Sequence, residues 1–173
     1  MVTQVSLSEI DCHELMSECS GISQLIDWLD GLDNRPGLSE IDSRLTNLEI
    51  NIEALKKFID YSDNGYQRNI IKKTENYEIV AICWYPGQKT PIHDHFGSDC
   101  SFLIVDGITT ETVFETNHEG LAFPISSREY YPGEVCSADE PDIHQISNNR
   151  STNLINLHVY SPPLSKYKIY DSK

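Results

Sequence analysis

The hydrophobic period of this sequence changes near residue 65, and this change constrains the fold more than any other feature. Before it, apolar residues recur at helical spacing in three runs, at 22–29, 41–48 and 52–59. Turn-forming residues cluster at 33–37 and again at 62–65, and Asn51 could cap the third run. The pattern therefore predicts an N-terminal helical segment that ends at about residue 65.

Beyond residue 65 the sequence changes to short β-rich runs separated by Gly, Pro, Asn and Asp. These runs lie at 69–72, 77–84, 101–105, 109–114, 133–136 and 154–160. Such close spacing favours an antiparallel barrel or jelly roll. We expect one domain overall, in which a helical segment (1–65) packs against a β-barrel (66–173).

Charge narrows the range of partners. The chain has 13 basic and 27 acidic residues, a formal charge of −14, so its field repels nucleic acid and anionic lipid surfaces.

No apolar run approaches the roughly 18 residues of a membrane span, and the N-terminus lacks a secretory pattern. The five cysteines have no CxxC spacing, which argues against a disulfide framework or a zinc ribbon. We expect a cytoplasmic monomer or weak homo-oligomer.

The residues that carry chemistry concentrate around His93-Asp94-His95. Strand side chains alternate between faces, so His93 and His95 project to one side, about 7 Å apart along the backbone, while Asp94 points away. One ion could bind both. His144, on another strand, is the best candidate for a third ligand, because the remaining histidines lie in polar or unrelated settings.

This region resembles the two sequence motifs of the cupin superfamily. Gly87, five residues, His93-x-His95, four residues, Cys100, six residues and Gly107 follow the first motif, with Cys100 in place of its acidic ligand. The second motif is matched by Gly133, His144 and Asn148, although Asp139 and Pro141 stand where the family usually has proline and glycine. The resemblance implies a mainly β, cupin-type antiparallel β-barrel (jelly roll) with an N-terminal helical segment.

Within the cupins, residues 66–164 resemble the thiol dioxygenases, and cysteine dioxygenase in particular. The similarity lies in Tyr66-x-Arg68-Asn69, in His93-Asp94-His95 with Cys100, and in the segment 157–163, which reads LHVYSPP. Such enzymes oxidise L-cysteine to cysteine sulfinate and add both atoms of O2 to sulfur. The resemblance implies an Fe(II) site whose ligands are His93, His95 and His144.

The resemblance also implies the remaining roles. Arg68 offers a planar fork of donors for the substrate carboxylate, and Tyr66 lies beside it. Tyr160 and His158 share one face of a strand, where they form a catalytic pair in which the imidazole orients the phenol hydroxyl. Cys100 and Tyr160 match the pair that a thioether joins in some cysteine dioxygenases. Ser161-Pro162-Pro163 indicates a rigid turn, in which a cis bond is one option.

Several alternatives remain open from the sequence alone. Three imidazoles also bind zinc, nickel or copper. The runner-up substrate is 3-mercaptopropionate, although relatives that act on it tend to have glutamine at the place of Arg68 and glycine at that of Cys100. Asn156 stands where the family often has serine and can hydrogen-bond His158 with a different reach. A cupin sugar isomerase would retain the glutamate ligand, and a ligand-sensing cupin would bring a basic DNA-binding helix, whereas the helices here are acidic.

Overall fold

The computed structural model describes residues 2–138 and 142–172, so Asp139 and Pro141 of the second motif lie outside the described residues. In chain order the elements are β1 (Val2–Ser6), α1 (Glu9–Glu18), α2 (Ser20–Asp30), α3 (Leu38–Thr46), α4 (Ile52–Leu55), β2 (Tyr66–Lys73), β3 (Glu78–Trp84), β4 (Ile92–His93), β5 (Asp99–Asp106), β6 (Thr109–Thr116), β7 (Ala122–Tyr130), β8 (Val135–Ala138), β9 (Ile143–Ser147), β10 (Leu154–Ser161) and β11 (Ile169–Tyr170).

The helices form where apolar residues share one face and polar residues cap the ends. On α2 the inward face carries Ile22, Leu25 and Ile26, all buried. The backbone N–H of Ala54 donates to the side chain of Asn51 at 3.1 Å, as the sequence predicted for the N-terminus of this helix. The structure therefore contains the helices that the apolar pattern before residue 65 predicted.

The strands form two sheets, with orders β1-β2-β3-β10-β5-β8 and β11-β4-β9-β6-β7. Among the strands described, β1 pairs with β2 in parallel and the other neighbours are antiparallel. The predicted mainly β jelly roll is confirmed, although the two sheets stay separate and do not close into one barrel. The N-terminal segment contains the predicted helices and, in addition, the strand β1, which the sequence did not predict.

The six-stranded sheet lies between two cores. Along β3 the residues Ile79, Ala81 and Cys83 pack with the helices, whereas Val80, Ile82 and Trp84 belong to the core on the opposite face, as strand alternation requires. The helices thus support the sheet from behind. The division of the chain at residue 65 stays a prediction.

Gly107 illustrates why the motif glycines are needed. It begins the connection between β5 and β6 with a φ of +83°, and a Cβ there would lie 2.4 Å from the carbonyl oxygen of Asn153. Only glycine tolerates both conditions. The peptide bond between Ser161 and Pro162 is cis. None of the helices described is long and apolar enough to cross a bilayer.

Candidate active site

A cavity of about 780 Å³ opens between the two sheets. The six-stranded sheet contributes Arg68, Cys100 and Tyr160 to its lining, and the five-stranded sheet contributes His93 and His144. Every site residue that the sequence predicted lines this cavity. Those residues are Tyr66, Arg68, His93, His95, Cys100, His144, His158 and Tyr160.

His93, His95 and His144 converge on one wall of the cavity. His93 and His144 are directly paired across β4 and β9, and His95 follows shortly after the end of β4. One potential ligand atom of each residue lies within 4.8 Å of the other two. The ring centroids are 4.7 to 4.9 Å apart. The structure therefore brings together the three histidines that the sequence selected.

The electrostatic setting keeps these rings able to bind a cation. Burial, together with the neighbouring His144, lowers the pKa of His93 to about 4 and that of His95 to about 2. Neutral imidazole has a free lone pair, and metals bind that form. The arrangement suits a metal ion better than a cluster of charged histidines.

Hydrogen bonds fix the rings and leave some nitrogens unpartnered. Nδ1 of His93 donates to the carbonyl oxygen of Pro91 at 2.9 Å, and Nδ1 of His144 donates to Oε1 of Glu111 at 2.7 Å. Nε2 of His144 and Nδ1 of His95 are buried without a hydrogen-bond partner in the described part of the chain. Buried polar atoms are rarely left unpaired. A bound metal would satisfy such nitrogens.

Glu111 is a site residue that the sequence analysis missed. It lies on β6, and its second oxygen accepts a hydrogen bond from the Tyr130 hydroxyl at 3.0 Å. Burial alone would raise the pKa of Glu111, but the hydrogen bond from His144 and the other donors around it leave the pKa below its ordinary value. Strand alternation puts Glu111 on the same face as Thr109 and Val113, but it does not identify His144 as the partner of this carboxylate.

Cys100, His158 and Tyr160 form a buried group beside the histidines. Cys100 and Tyr160 are directly opposite each other on β5 and β10. The Tyr160 hydroxyl and Nδ1 of His158 share a hydrogen bond of 3.3 Å, and Sγ of Cys100 lies 3.9 Å from the same nitrogen. Burial raises the pKa of Cys100 to about 12, raises that of Tyr160 and lowers that of His158. All three groups are therefore uncharged.

Asn156, which the sequence allowed to hydrogen-bond His158, is held by a different residue. Its carbonyl oxygen accepts a hydrogen bond from the Thr109 hydroxyl at 3.1 Å. Within the residues described, Nδ2 of Asn156 and Nε2 of His158 both lack a partner. The side chain of Asn156 is thus held by Thr109 of β6. This contact between distant parts of the chain could not be anticipated from the position of Asn156 on β10.

Arg68 lies on β2 and already has partners. Its Nη2 donates to Oε1 of Glu78 at 3.2 Å, and its Nε donates to the side chain of Gln4 at 3.3 Å. Its guanidinium carbon is 5.4 Å from the centre of the Tyr160 ring. Tyr66 stacks on Trp84, with ring centroids 4.6 Å apart. The sequence analysis identified Arg68 but missed both Glu78 and Gln4.

Comparison with known proteins gives a consistent result. The family model of cysteine dioxygenase type I matches residues 22–173. The chain is 24% identical to cysteine dioxygenase type 1 of Danio rerio over 142 residues, which is 79% of this chain and 71% of that protein. It is 25% identical to the enzyme of Rattus norvegicus, over 79% of this chain and 70% of that protein.

Solved structures agree on the fold. An uncharacterised Klebsiella pneumoniae protein with a double-stranded β-helix domain superposes with a TM-score of 0.57 and 15% identity, covering 73% of this chain and 99% of that one. A Thermus thermophilus protein gives a TM-score of 0.50 and 21% identity, and the match covers 62% of this chain and 93% of that one. At these identities the likeness concerns architecture alone.

Proposed function

Because the chain belongs to the cysteine dioxygenase type I family, we propose that it is an iron-dependent thiol dioxygenase that oxidises L-cysteine to cysteine sulfinate. The reaction adds both atoms of O2 to the substrate sulfur and needs no external reductant. The observation that carries the proposal is the placement of three converging histidines and Arg68 around one cavity. One wall suits a metal, and the other suits a carboxylate.

We assign the metal to His93, His95 and His144. The unpartnered nitrogens of His95 and His144 and the lowered pKa values of His93 and His95 fit a divalent ion. The ligand set has no charge of its own, so the ion retains its positive charge for an anionic thiolate. When bound, Fe(II) would lower the thiol pKa and supply the redox chemistry that O2 requires. The choice of iron rests on the family.

We assign Arg68 and Tyr66 to the substrate carboxylate, and Tyr160 to the reacting end of the substrate. The Tyr160 hydroxyl keeps its proton because burial raises its pKa. The hydrogen bond of 3.3 Å between that hydroxyl and Nδ1 of His158 positions the hydroxyl. The buried neutral groups around the position of the substrate sulfur exclude water and leave the lone pairs of that sulfur available to O2.

We further propose that Cys100 and Tyr160 become joined by a thioether. Their opposed positions on β5 and β10 support this step. The new C–S bond replaces one hydrogen on Sγ and one on the phenol ring, and O2 takes up the electron pair with the two protons. Intact mass after turnover with iron and cysteine should show the loss of two hydrogens, and the Cys100→Ser variant should not. An unchanged mass for the unaltered chain would exclude the crosslink.

Oxygen consumption tests the proposed function. The chain is reconstituted anaerobically with Fe(II) and offered cysteine, homocysteine, cysteamine or 3-mercaptopropionate. We expect uptake with cysteine, its loss in His144→Ala, and its retention in His118→Ala, which removes an exposed histidine outside the cavity. If oxygen is consumed with another thiol but not with cysteine, the proposed substrate is wrong. If oxygen is consumed with none of the thiols, the proposed enzyme class is wrong.

A further inference from the structure

Glu78 is a buried carboxylate on the wall of the cavity that the proposed roles leave unused. It begins β3, is 2% exposed and lies directly opposite Tyr160 on β10. Oε1 accepts the hydrogen bond from Arg68, whereas Oε2 is buried and has no hydrogen-bond partner in the part of the chain described. Burying a carboxylate oxygen without a hydrogen-bond partner costs free energy, so the position of Oε2 calls for an explanation.

The first consequence concerns Arg68. A buried guanidinium without a counterion would need an anion from the substrate. Here Glu78 already compensates that charge, and Gln4 occupies a second donor. A substrate carboxylate must therefore share the guanidinium with another carboxylate, and the two repel each other.

The second consequence concerns the free oxygen. Oε2 of Glu78 can only accept hydrogen bonds, and an ammonium group can only donate them. The other cations that line the cavity, Lys73 and Lys89, are exposed, so solvent and salt screen their charge. Apart from a metal on the three histidines, the Arg68–Glu78 pair therefore contributes the main fixed charges among the described residues that line the inner wall.

We propose that Glu78 is a specificity-determining residue that selects thiols carrying an ammonium group and disfavours thiol acids that lack one. The inference rests on the proposed function, because it assumes that the substrate is a thiol bound beside the three histidines. L-cysteine carries both an ammonium and a carboxylate group. Cysteamine has only the ammonium, and 3-mercaptopropionate has only the carboxylate, so these two thiols isolate the effect.

The test compares how these two thiols bind to the zinc-loaded protein, which cannot turn them over. In Glu78→Gln, cysteamine should bind more weakly and 3-mercaptopropionate more tightly, so the affinity ratio should fall by about tenfold or more. Comparing the ratio between variants cancels any intrinsic preference of zinc. Glu115→Gln, which removes an exposed carboxylate on β6, should leave the ratio unchanged. A ratio that stays within about twofold of the original in Glu78→Gln overturns the proposal.

Two further arms keep the result interpretable. Thermal unfolding shows whether Glu78→Gln is folded, and Glu78→Asn removes the same charge with a smaller side chain. Glu78→Asn should lower the affinity ratio in the zinc-loaded protein as Glu78→Gln does, and an unchanged ratio in both variants overturns the proposal. Failure of the iron-loaded protein to consume O2 with every thiol would instead refute the proposed function, which the binding ratio does not measure.

Discussion

At the scale of single residues, the site is defined by what each buried polar atom contacts. Glu111 is the clearest case, since its carboxylate accepts a hydrogen bond from Nδ1 of His144 at 2.7 Å and thereby leaves Nε2 as the nitrogen that faces a potential metal. A carboxylate behind a ligating histidine fixes both the tautomer and the orientation of the ring. Glu111 should therefore contribute to metal binding although it is not itself a proposed ligand.

Replacing Glu111 with glutamine tests this role. The amide oxygen can still accept a hydrogen bond but carries no charge, so metal affinity should fall by about 10 to 100-fold. Competition with a chelator of known affinity measures the change, and Glu115→Gln on the same strand, whose side chain is exposed, serves as the control. Equal affinities in the two variants would show that Glu111 has no part in metal binding.

Sequence reasoning found the residues whose role follows from local spacing. His93 and His95 were predicted from strand alternation, and the structure places both with His144. Glu78 and Glu111 were missed, because alternation tells which face a side chain takes but not which residue it meets. Both contacts span the gap between strands, and neither leaves a local pattern in the sequence.

At the scale of elements, the C-terminal strand β11 is attached through Asp94 to the segment that carries His93 and His95. Oδ1 of Asp94 accepts a hydrogen bond from the backbone N–H of Lys168, and Oδ2 of Asp94 accepts one from the Tyr170 hydroxyl, each at 2.9 Å. Ile169 pairs with His93. The residue between two of the histidines thus fastens the segment that lines one side of the cavity.

The Asp94→Ala variant should loosen this attachment. Losing two hydrogen bonds to a charged group would make backbone amide exchange in residues 167–171 faster by about tenfold or more. Hydrogen exchange followed by mass spectrometry gives the measurement, with Asp63→Ala, an exposed loop change, as the matched control. Unchanged protection of this segment would mean that β11 is held by its other contacts.

Among the elements, those with a strong apolar pattern were predictable. All six β-rich runs correspond to strands, namely β2, β3, β5, β6, β8 and β10. The strand β7 was missed because most of its side chains are exposed, and α1 was missed because Leu15 is its one buried residue. These elements depend on pairing and capping more than on an apolar face.

At the scale of the whole molecule, one sheet connects the helical core to the site. Along β10, Ile155, Leu157 and Val159 pack with the helices, and His158 and Tyr160 face the cavity. The change of period near residue 65 predicted the two kinds of structure. The pairing of β1 with β2 could not be predicted, because strand order depends on contacts between distant segments.

The central claim is that this molecule inserts both atoms of O2 into a thiol. Turnover of the iron-loaded protein with L-cysteine under isotopically labelled O2, followed by mass spectrometry of the product, tests it most directly. We predict cysteine sulfinate in which both sulfinate oxygens carry the label. Product with a label on one oxygen only, or cystine without sulfinate, would contradict the account.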